Sequence, residues 1–321
     1  AMGPLLAATD GKRTLLLAYE HGSQAPDAFL RYDLAPGRKV TLRAVKGSYW
    51  SGLTVDAAHP YDTPWMQAGL VAGDLDWTAE AYRAFVRNEL SQNAETRAPR
   101  VHYNTWNFQE RNKHWNGKPY SESMNATRML AEIDVAARMG FETFVLDTGW
   151  YEKTGDWAVS RARFPEGLGP LAAKLGAHGM KLGLWFNPNA AAVSSRVGGE
   201  NVAFRMSWRG ESKASPIWET EESYPMCLVS PWGEAFLKEL VRLHRETGVT
   251  YYKWDAVGQY GCDAPGHGHG TAANTPEERA DAYAFRIGLR LAEIAEKLGE
   301  QVPGAVVDFA VPEGGRAVGR A

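Results

Sequence analysis

The run Tyr251-Tyr252-Lys253-Trp254-Asp255 places a lysine and a carboxylate two positions apart in an otherwise aromatic segment. Residues two apart on a β-strand point to the same face. A buried strand holds two charges on one face only when they pair with each other or with a ligand. Asp255 is therefore a candidate catalytic carboxylate, and Lys253 is a candidate substrate-binding group that keeps Asp255 ionised. An internal ion pair at a strand end is the alternative interpretation.

Other segments have the same character, because short apolar or aromatic runs end in polar residues at 101–107, 144–150, 181–188 and 305–309. Helix-period segments lie between them at 121–139, 168–178, 231–246 and 276–298. Strands that alternate with helices predict parallel βαβ units. Polar residues at the carboxyl ends of the strands favour a (β/α)8 TIM-type barrel over a doubly wound sheet. A dinucleotide-binding Gly-x-Gly-x-x-Gly turn does not follow the first strand.

The predicted barrel is short of strands. Only about five can be counted up to Ala321, whereas a closed barrel needs eight. We therefore expect a catalytic barrel over residues 100–321 that is incomplete at its C-terminus. Runs at 14–19, 28–34, 39–44 and 67–71 are separated by turn residues and are typical of antiparallel strands. Residues 1–77 are predicted to be part of a β-sandwich domain, and residues 78–99 a helical linker.

Composition limits the classes of partner. The chain has 321 residues, a net charge of −3 and no apolar run long enough to span a membrane. Its scattered basic residues give no electrostatic footprint for nucleic acid. We predict neither a nucleic-acid nor a membrane partner, and no cofactor, whereas a homo-oligomer is left open. Cys227 and Cys262 form no disulfide framework and lack the spacing of metal ligands.

Tryptophan is abundant, with twelve residues in the chain. Trp106, Trp150 and Trp185 lie at predicted strand ends. Aromatic faces stack on the apolar faces of sugar rings, and nearby charged groups bind the hydroxyls. Core packing is the alternative for each tryptophan taken singly. As a group at one end of the barrel, they favour a substrate-binding site for a sugar.

Several motifs together resemble the α-galactosidase (melibiase) group, the family-36 glycoside hydrolases and their clan. They occur in the family's order over residues 100–260: Tyr103-Asn104-Thr105-Trp106, Val145-Leu146-Asp147-Thr148-Gly149-Trp150-Tyr151, Gly155-Asp156-Trp157, Arg163-Phe164-Pro165-Glu166-Gly167-Leu168, Gly179-Met180-Lys181-Leu182-Gly183-Leu184-Trp185-Phe186-Asn187-Pro188 and Lys253-Trp254-Asp255.

The resemblance implies a retaining exo-α-glycosidase that hydrolyses a terminal α-linked sugar of an oligosaccharide or glycoside. It makes Asp255 the nucleophile and Lys253 a ligand of sugar hydroxyls. Asp147 matches the first carboxylate of the family's Asp-Asp-Gly-Trp motif, and Trp185 matches an aromatic wall of the pocket. The family's acid/base aspartate would follow Ala321, so we expect the isolated chain to be inactive.

Retention requires a second carboxylate about 5–5.5 Å from the first. Asp308 and Glu313 are the later carboxylates near a predicted strand end, and Arg316 follows them. Gly314-Gly315-Arg316 resembles a family segment near the 2-substituent of the sugar. We therefore assign Asp308, Glu313 and Arg316 to substrate binding rather than to proton transfer. A solvated loop is the alternative.

Departures from the family pattern concern the identity of the sugar. Thr148 replaces the second aspartate of the motif, and Asn187 and Asn189 replace two glutamates. A lost carboxylate removes a charged acceptor for one hydroxyl. We therefore expect a terminal sugar other than galactose.

His267 and His269 stand two apart in a glycine-rich segment near Cys262 and Asp263. These residue types can ligate zinc. The glycines favour a mobile loop instead, so we expect the histidines to bind substrate hydroxyls and assign no metal. Two other classes stay open: a catalytically silent carbohydrate-binding relative, and a metal-dependent barrel hydrolase that uses both histidines.

Overall fold

Antiparallel strands in the first part of the chain are followed by alternating strands and helices. The protein is represented by a computed structural model that describes residues 5–19, 30–37, 39–44, 50–61, 65–91, 93–255 and 261–310. The strands are β1 (Leu5–Thr9), β2 (Arg13–Tyr19), β3 (Leu30–Ala35), β4 (Lys39–Ala44), β5 (Met66–Ala72), β6 (His102–Asn104), β7 (Thr143–Leu146), β8 (Lys181–Phe186), β9 (Ala190–Ala192), β10 (Ser215–Pro216), β11 (Glu222–Pro225), β12 (Tyr251–Asp255) and β13 (Val306–Ala310). The helices are α1 (Leu75–Phe85), α2 (Trp106–Asn116), α3 (Ala126–Arg138), α4 (Gly169–Ala177), α5 (Arg196–Glu200), α6 (Trp232–Thr247) and α7 (Pro276–Gln301).

The N-terminal strands form two antiparallel sheets. One has the order β1-β2-β5, and the other is the hairpin β3-β4. Burial alternates along β5, as expected for a strand with one face covered and one exposed. The antiparallel strands predicted in this region are confirmed, and β1 is an additional strand that the sequence pattern did not predict.

A curled parallel sheet of five strands forms the centre of the remaining structure, in the order β13-β12-β8-β7-β6. Helices α3, α4, α6 and α7 connect successive strands of this sheet along the chain. The sheet corresponds to half of a (β/α)8 barrel, so the predicted α/β barrel class is confirmed. Among the described residues, no helix is both long and apolar enough to cross a membrane.

The two faces of the central sheet differ in chemistry. Phe144, Leu184, Tyr252 and Trp254 are fully buried and belong to the core cluster formed with the helices. The alternate positions face the barrel interior. There Gly183 pairs with Val145 on one side and with Tyr251 on the other. A Cβ at Gly183 would lie 2.8 Å from Val145 Cγ2, so glycine is needed where these interior side chains meet.

Local signals explain the helix boundaries. Helix α7 begins with a capping box between Thr275 and Glu278. Helix α6 ends at Gly248, whose φ of 75° suits glycine. The predicted helix at 121–139 starts later than expected, because Asn125 caps α3 at Ala126. The predicted strand at 101–107 is also shorter, since β6 ends at Asn104 and α2 begins at Trp106.

Candidate active site

Charged and aromatic side chains from neighbouring strands share one row on the interior face. The register pairs Lys253 with Trp185 on one side and with Asp308 on the other. Asp147 directly follows β7, and Asp255 is the last residue of β12. The carboxyl ends of parallel strands in a barrel lie at one rim. The structure therefore brings the residues predicted from separate motifs to one site.

Lys253 and Asp147 form a buried ion pair. The distance from Lys253 Nζ to Asp147 Oδ2 is 2.7 Å, and the side chains are 12% and 2% exposed. Burial raises the pKa of Asp147 and the charge of Asp255 adds to this, whereas the Lys253 ammonium opposes the rise. The sequence placed Lys253 beside Asp255, but its hydrogen bond in the structure goes to Asp147. This pair offers a charged acceptor and a charged donor for sugar hydroxyls.

Asp255 is held by an aromatic neighbour. The indole Nε1–H of Trp185 donates to Asp255 Oδ2 at 3.1 Å. Trp185 is only 1% exposed and stacks on the buried ring of Tyr151. Because so little of its face is accessible, the predicted role of Trp185 as a wall against the sugar is corrected: the ring is buried, and its N–H contacts the Asp255 carboxylate.

Residues that the sequence did not single out as site residues hold Asp147 in place. The backbone N–H of Asp147 donates to Thr105 Oγ1 at 2.8 Å, and the Thr105 hydroxyl donates to Gln109 at 3.1 Å. Gln109 in turn donates to the backbone carbonyl of Thr148 at 2.8 Å. All of these groups are buried. Thr105 lies within one of the quoted family motifs, whereas Gln109 has no comparable sequence signal.

Two further tryptophans occupy different environments. Trp150 is fully buried, and its Nε1–H donates to the backbone carbonyl of Trp185 at 3.0 Å. Its predicted contact with substrate is therefore corrected to core packing. Trp106 is half-buried and stacks on Tyr120 at 5.0 Å, with Trp218 beside it at 4.6 Å. Trp218 is 44% exposed, so this aromatic group reaches the surface.

Of the three predicted binding residues near the end of the sequence, the structure describes only Asp308. Asp308 lies on β13, where its Oδ2 accepts a hydrogen bond from the Tyr251 hydroxyl at 2.9 Å. Glu313 and Arg316 lie outside the described residues.

His267 and His269 lie inside the fold. Both are buried, at 4% and 0% exposure. They lie in one cluster with Cys227 and Cys262, whose ligand atoms are all within 4.8 Å of one another. The predicted hydrogen bonds from these histidines to substrate are corrected, because the rings have no accessible edge. The cysteines lack the spacing of metal ligands in the sequence, but the fold brings their sulfur atoms close to the rings of both histidines.

The Asn187 and Asn189 side chains are buried at 2% and 0% exposure. Asn189 donates to the Met226 carbonyl at 3.0 Å. A cavity of about 540 Å³ opens beside Asn189, and its lining includes Trp208, Tyr224 and Gly261 but not Asp147, Lys253 or Asp255.

The sequence of residues 60–318 matches the model of the Melibiase family. The chain belongs to the melibiase family. This match covers every described residue of the site, from Thr105 to Asp308.

Individual melibiase relatives are distant and longer. The α-galactosidase of Escherichia coli is 28% identical over 203 residues, which are 60% of this chain and 26% of the relative. Mel36A of Lactobacillus acidophilus, also an α-galactosidase, is 30% identical over 139 residues, or 41% of this chain and 18% of the relative. The A type blood α-D-galactosamine galactosaminidase of Flavonifractor plautii is 25% identical over 165 residues, 48% of this chain and 15% of that protein. The matches thus span about a quarter or less of these relatives.

Solved structures of the same group share the fold. The GH36 α-galactosidase AgaB of Geobacillus stearothermophilus superimposes with a TM-score of 0.65 at 18% identity, over 95% of this chain and 41% of that one. AgaA of the same organism, in complex with stachyose, gives a TM-score of 0.64 at 15% identity, over 98% and 43%. These neighbours support the barrel and sandwich architecture of this chain.

Proposed function

We propose that this chain carries the nucleophile and part of the sugar-binding site of a retaining exo-α-glycosidase. The observation that carries the proposal is the position of Asp255. It ends β12 with Oδ2 hydrogen-bonded to Trp185, on the same strand as Lys253 of the Lys253–Asp147 pair. A carboxylate with a fixed orientation beside hydroxyl-binding charges is what attack on a sugar ring requires.

The proposed reaction has two steps. In the first, a carboxylate oxygen of Asp255 attacks the anomeric carbon while the glycosidic bond breaks, and a carboxylic acid protonates the departing oxygen. In the second, water displaces Asp255 from the anomeric carbon and gives its proton to the same acid, now a carboxylate. The net configuration is retained. We assign this acid to no residue of this chain.

The Lys253–Asp147 pair is proposed to bind two hydroxyls of the terminal sugar. The carboxylate accepts hydrogen bonds, and the ammonium donates them. The two groups are buried together, so a substrate hydroxyl that inserts between them meets charges that are weakly screened. This arrangement fixes the sugar relative to Asp255. Trp106, which is half-buried near the surface, is proposed to contact the part of the substrate beyond the terminal sugar.

The substrate class is proposed to be an oligosaccharide or glycoside with a terminal α-linked sugar. The relatives include both α-galactosidases and a galactosaminidase. The terminal sugar here is proposed to differ from galactose, because Thr148 stands where the family motif has its second aspartate. Its hydroxyl lies 3.0 Å from the hydroxyl of Tyr151 and carries no charge to select a sugar hydroxyl.

Trapping the covalent intermediate tests this proposal. A full-length protein containing this chain is incubated with a panel of activated fluoro-sugars of α configuration, which slow hydrolysis of the intermediate more than its formation. Peptide mass mapping is expected to find one sugar on Asp255. Proton NMR of the first product of an aryl α-glycoside is expected to show the α-anomer. A sugar attached to another carboxylate, or a β-anomer as first product, would refute the assignment.

A catalytically silent carbohydrate-binding protein is the second candidate. The observation in its favour is the intact Lys253–Asp147 ion pair, because a protein that only binds sugars would also need charged groups for the hydroxyls. The trapping experiment separates the two, because a binding protein retains the sugar reversibly and gains no mass.

A further inference from the structure

A buried cluster of two cysteines and two histidines lies outside the catalytic residues. Cys227 follows β11, whereas Cys262, His267 and His269 lie on the segment between β12 and α7. All four side chains are buried, and their four ligand atoms lie within 4.8 Å of one another. We propose that these residues form a structural zinc site of the Cys2His2 type.

The sulfur–nitrogen distances fit a single tetrahedral ion. Cys262 Sγ is 3.5 Å from His267 Nδ1, and Cys227 Sγ is 3.6 Å from His269 Nε2. Tetrahedral zinc has Zn–S bonds of about 2.3 Å and Zn–N bonds of about 2.0–2.1 Å, which place sulfur and nitrogen ligands about 3.6 Å apart. These two pairs therefore already have the spacing of zinc ligands, and all four ligand atoms lie within 4.8 Å of one another.

Backbone carbonyls select the ring nitrogen that each histidine presents. His267 Nε2 lies 2.7 Å from the carbonyl oxygen of Ala203, so Nε2 carries the proton and Nδ1 turns its lone pair to the cluster. His269 Nδ1 lies 3.1 Å from the carbonyl oxygen of Arg279, which leaves Nε2 as the ligand. Such outer hydrogen bonds usually accompany metal-binding histidines. Both rings thus direct an unprotonated nitrogen toward the cysteines.

The segment between the ligands is shaped to bring both histidines to one point. Gly268 separates them and has a φ of 84°, a left-handed conformation that residues with a Cβ rarely adopt. A side chain at this position would also approach the Val229 carbonyl at 3.3 Å. Glycine is therefore required for the tight turn that aims His267 and His269 into the same cluster.

The chemistry of the ligands points to zinc in a structural role. Two thiolates and two imidazoles satisfy the four positions of tetrahedral zinc, and a catalytic zinc would need a position open to water. Full burial leaves no such position. The site would join the segment after Asp255 to the residues after β11 and, through the Arg279 carbonyl, to the first turn of α7.

Metal analysis of the full-length protein, purified after growth in medium with added zinc and without chelators, tests the proposal. Inductively coupled plasma mass spectrometry is expected to find about one zinc per chain. Cys262→Ser and His269→Gln should each retain less than about a tenth of that zinc, since each removes a ligand. The matched control His244→Gln should retain all of it. His244 lies on α6, where its ring bonds the Val249 carbonyl at 2.8 Å, outside the cluster.

A measurement on the unmodified protein covers the case in which the ligand variants fail to fold. Replacement of zinc by Co²⁺ should give the charge-transfer band of cobalt thiolates and the strong visible bands of tetrahedral cobalt. This chain has only two cysteines, Cys227 and Cys262. The band therefore reports on these two thiolates, provided that no other cysteine of the full-length protein binds the cobalt. Alkylation of cysteines in that complex, followed by peptide mapping, identifies which thiols the metal protects.

Several results would overturn the proposal. A metal-free protein with both thiols reduced would make the cluster a hydrogen-bonded part of the core. A Cys227–Cys262 disulfide, seen as a mass lower by two hydrogens, would exclude thiolate ligands. Stoichiometric iron, nickel or copper in place of zinc would refute the choice of metal, and zinc that persists in both ligand variants would place the site elsewhere.

Discussion

The ammonium of Lys253 on β12 lies 2.7 Å from Asp147 Oδ2 after β7, and the ion pair crosses over the intervening strand β8. Trp185, on that middle strand, pairs in register with Lys253 and donates to Asp255. Three neighbouring strands thus contribute to one polar site. Its charges are placed by strand register rather than by neighbouring positions in the sequence.

Replacing Lys253 by methionine should strongly destabilise the protein. The change leaves the Asp147 carboxylate buried without its cation, which typically costs about 3–5 kcal/mol. Urea unfolding of the full-length protein measures the loss. The double variant Lys253→Met/Asp147→Asn should recover part of it, because no charge is left unpaired. Lys174→Met is a control at the partly exposed pair with Asp134, where we expect a loss of about 1 kcal/mol or less. Equal losses in both single variants would contradict a buried pair.

The loss caused by Lys253→Met should depend on pH. Burial raises the pKa of Asp147 above the ordinary 3.8, so in the window above 3.8 the native state holds a proton that the unfolded chain has released. The free energy of unfolding therefore falls as pH rises through the native pKa. Lys253 lowers the pKa of Asp147. Its removal therefore raises the native pKa further and extends this pH window upward. We expect the destabilisation to be smaller at about pH 4 than at about pH 7 in urea titrations. A pH-independent difference between the variant and the native protein would show that Asp147 does not titrate in this way.

Asp255→Asn should reduce turnover of an activated α-glycoside by more than about 10³-fold, because the amide is a poor nucleophile. Sugar binding, measured by calorimetry, should be largely retained. Added azide should restore turnover and give the β-glycosyl azide, since the anion occupies the space of the lost charge. Asp134→Asn, on the outer helix α3, is the matched control and should behave as the native enzyme. Turnover near the native rate in Asp255→Asn would exclude the nucleophile assignment.

Trp185→Phe should lower kcat by about 10–100-fold with a smaller change in KM, because it removes the hydrogen bond that orients Asp255. A hydrogen bond to a charged group contributes about 1.5–3 kcal/mol. Trp157→Phe is the matched control. Trp157 is also fully buried in the same aromatic group, and its Nε1 has no hydrogen-bond partner among the described residues. Steady-state kinetics of both variants make the comparison. A similar loss of kcat in both would indicate a packing effect rather than orientation of Asp255.

The sequence predicted the strand that carries Lys253 and Asp255 because their spacing matches the period of a β-strand. It also predicted that Asp147 and Asp255 would lie at strand ends. It did not predict that Lys253 would reach Asp147, because that contact depends on the register across β8. The Cys227–Cys262–His267–His269 cluster was missed for a related reason. Cys227 is far from the other three residues in sequence, and only the packing of several segments brings the ligands together. Helix α2 was missed because aromatic residues continue from β6 across its first turn.

We propose that the identity of the terminal sugar depends on Thr148, which is 2% exposed and bonded to Tyr151. A buried carboxylate discriminates strongly for a hydroxyl, because a sugar without that hydroxyl leaves the charge unpaired. We therefore expect the native full-length enzyme to cleave aryl α-galactosides weakly relative to another aryl α-glycoside. Thr148→Asp should shift the ratio of kcat/KM values toward galactose by about tenfold or more. Thr148→Asn is the control of similar size without the charge, and it should leave the ratio nearly unchanged. If the native enzyme instead prefers α-galactoside over every other sugar in the panel, selection of galactose does not need a second carboxylate, and the specificity argument fails.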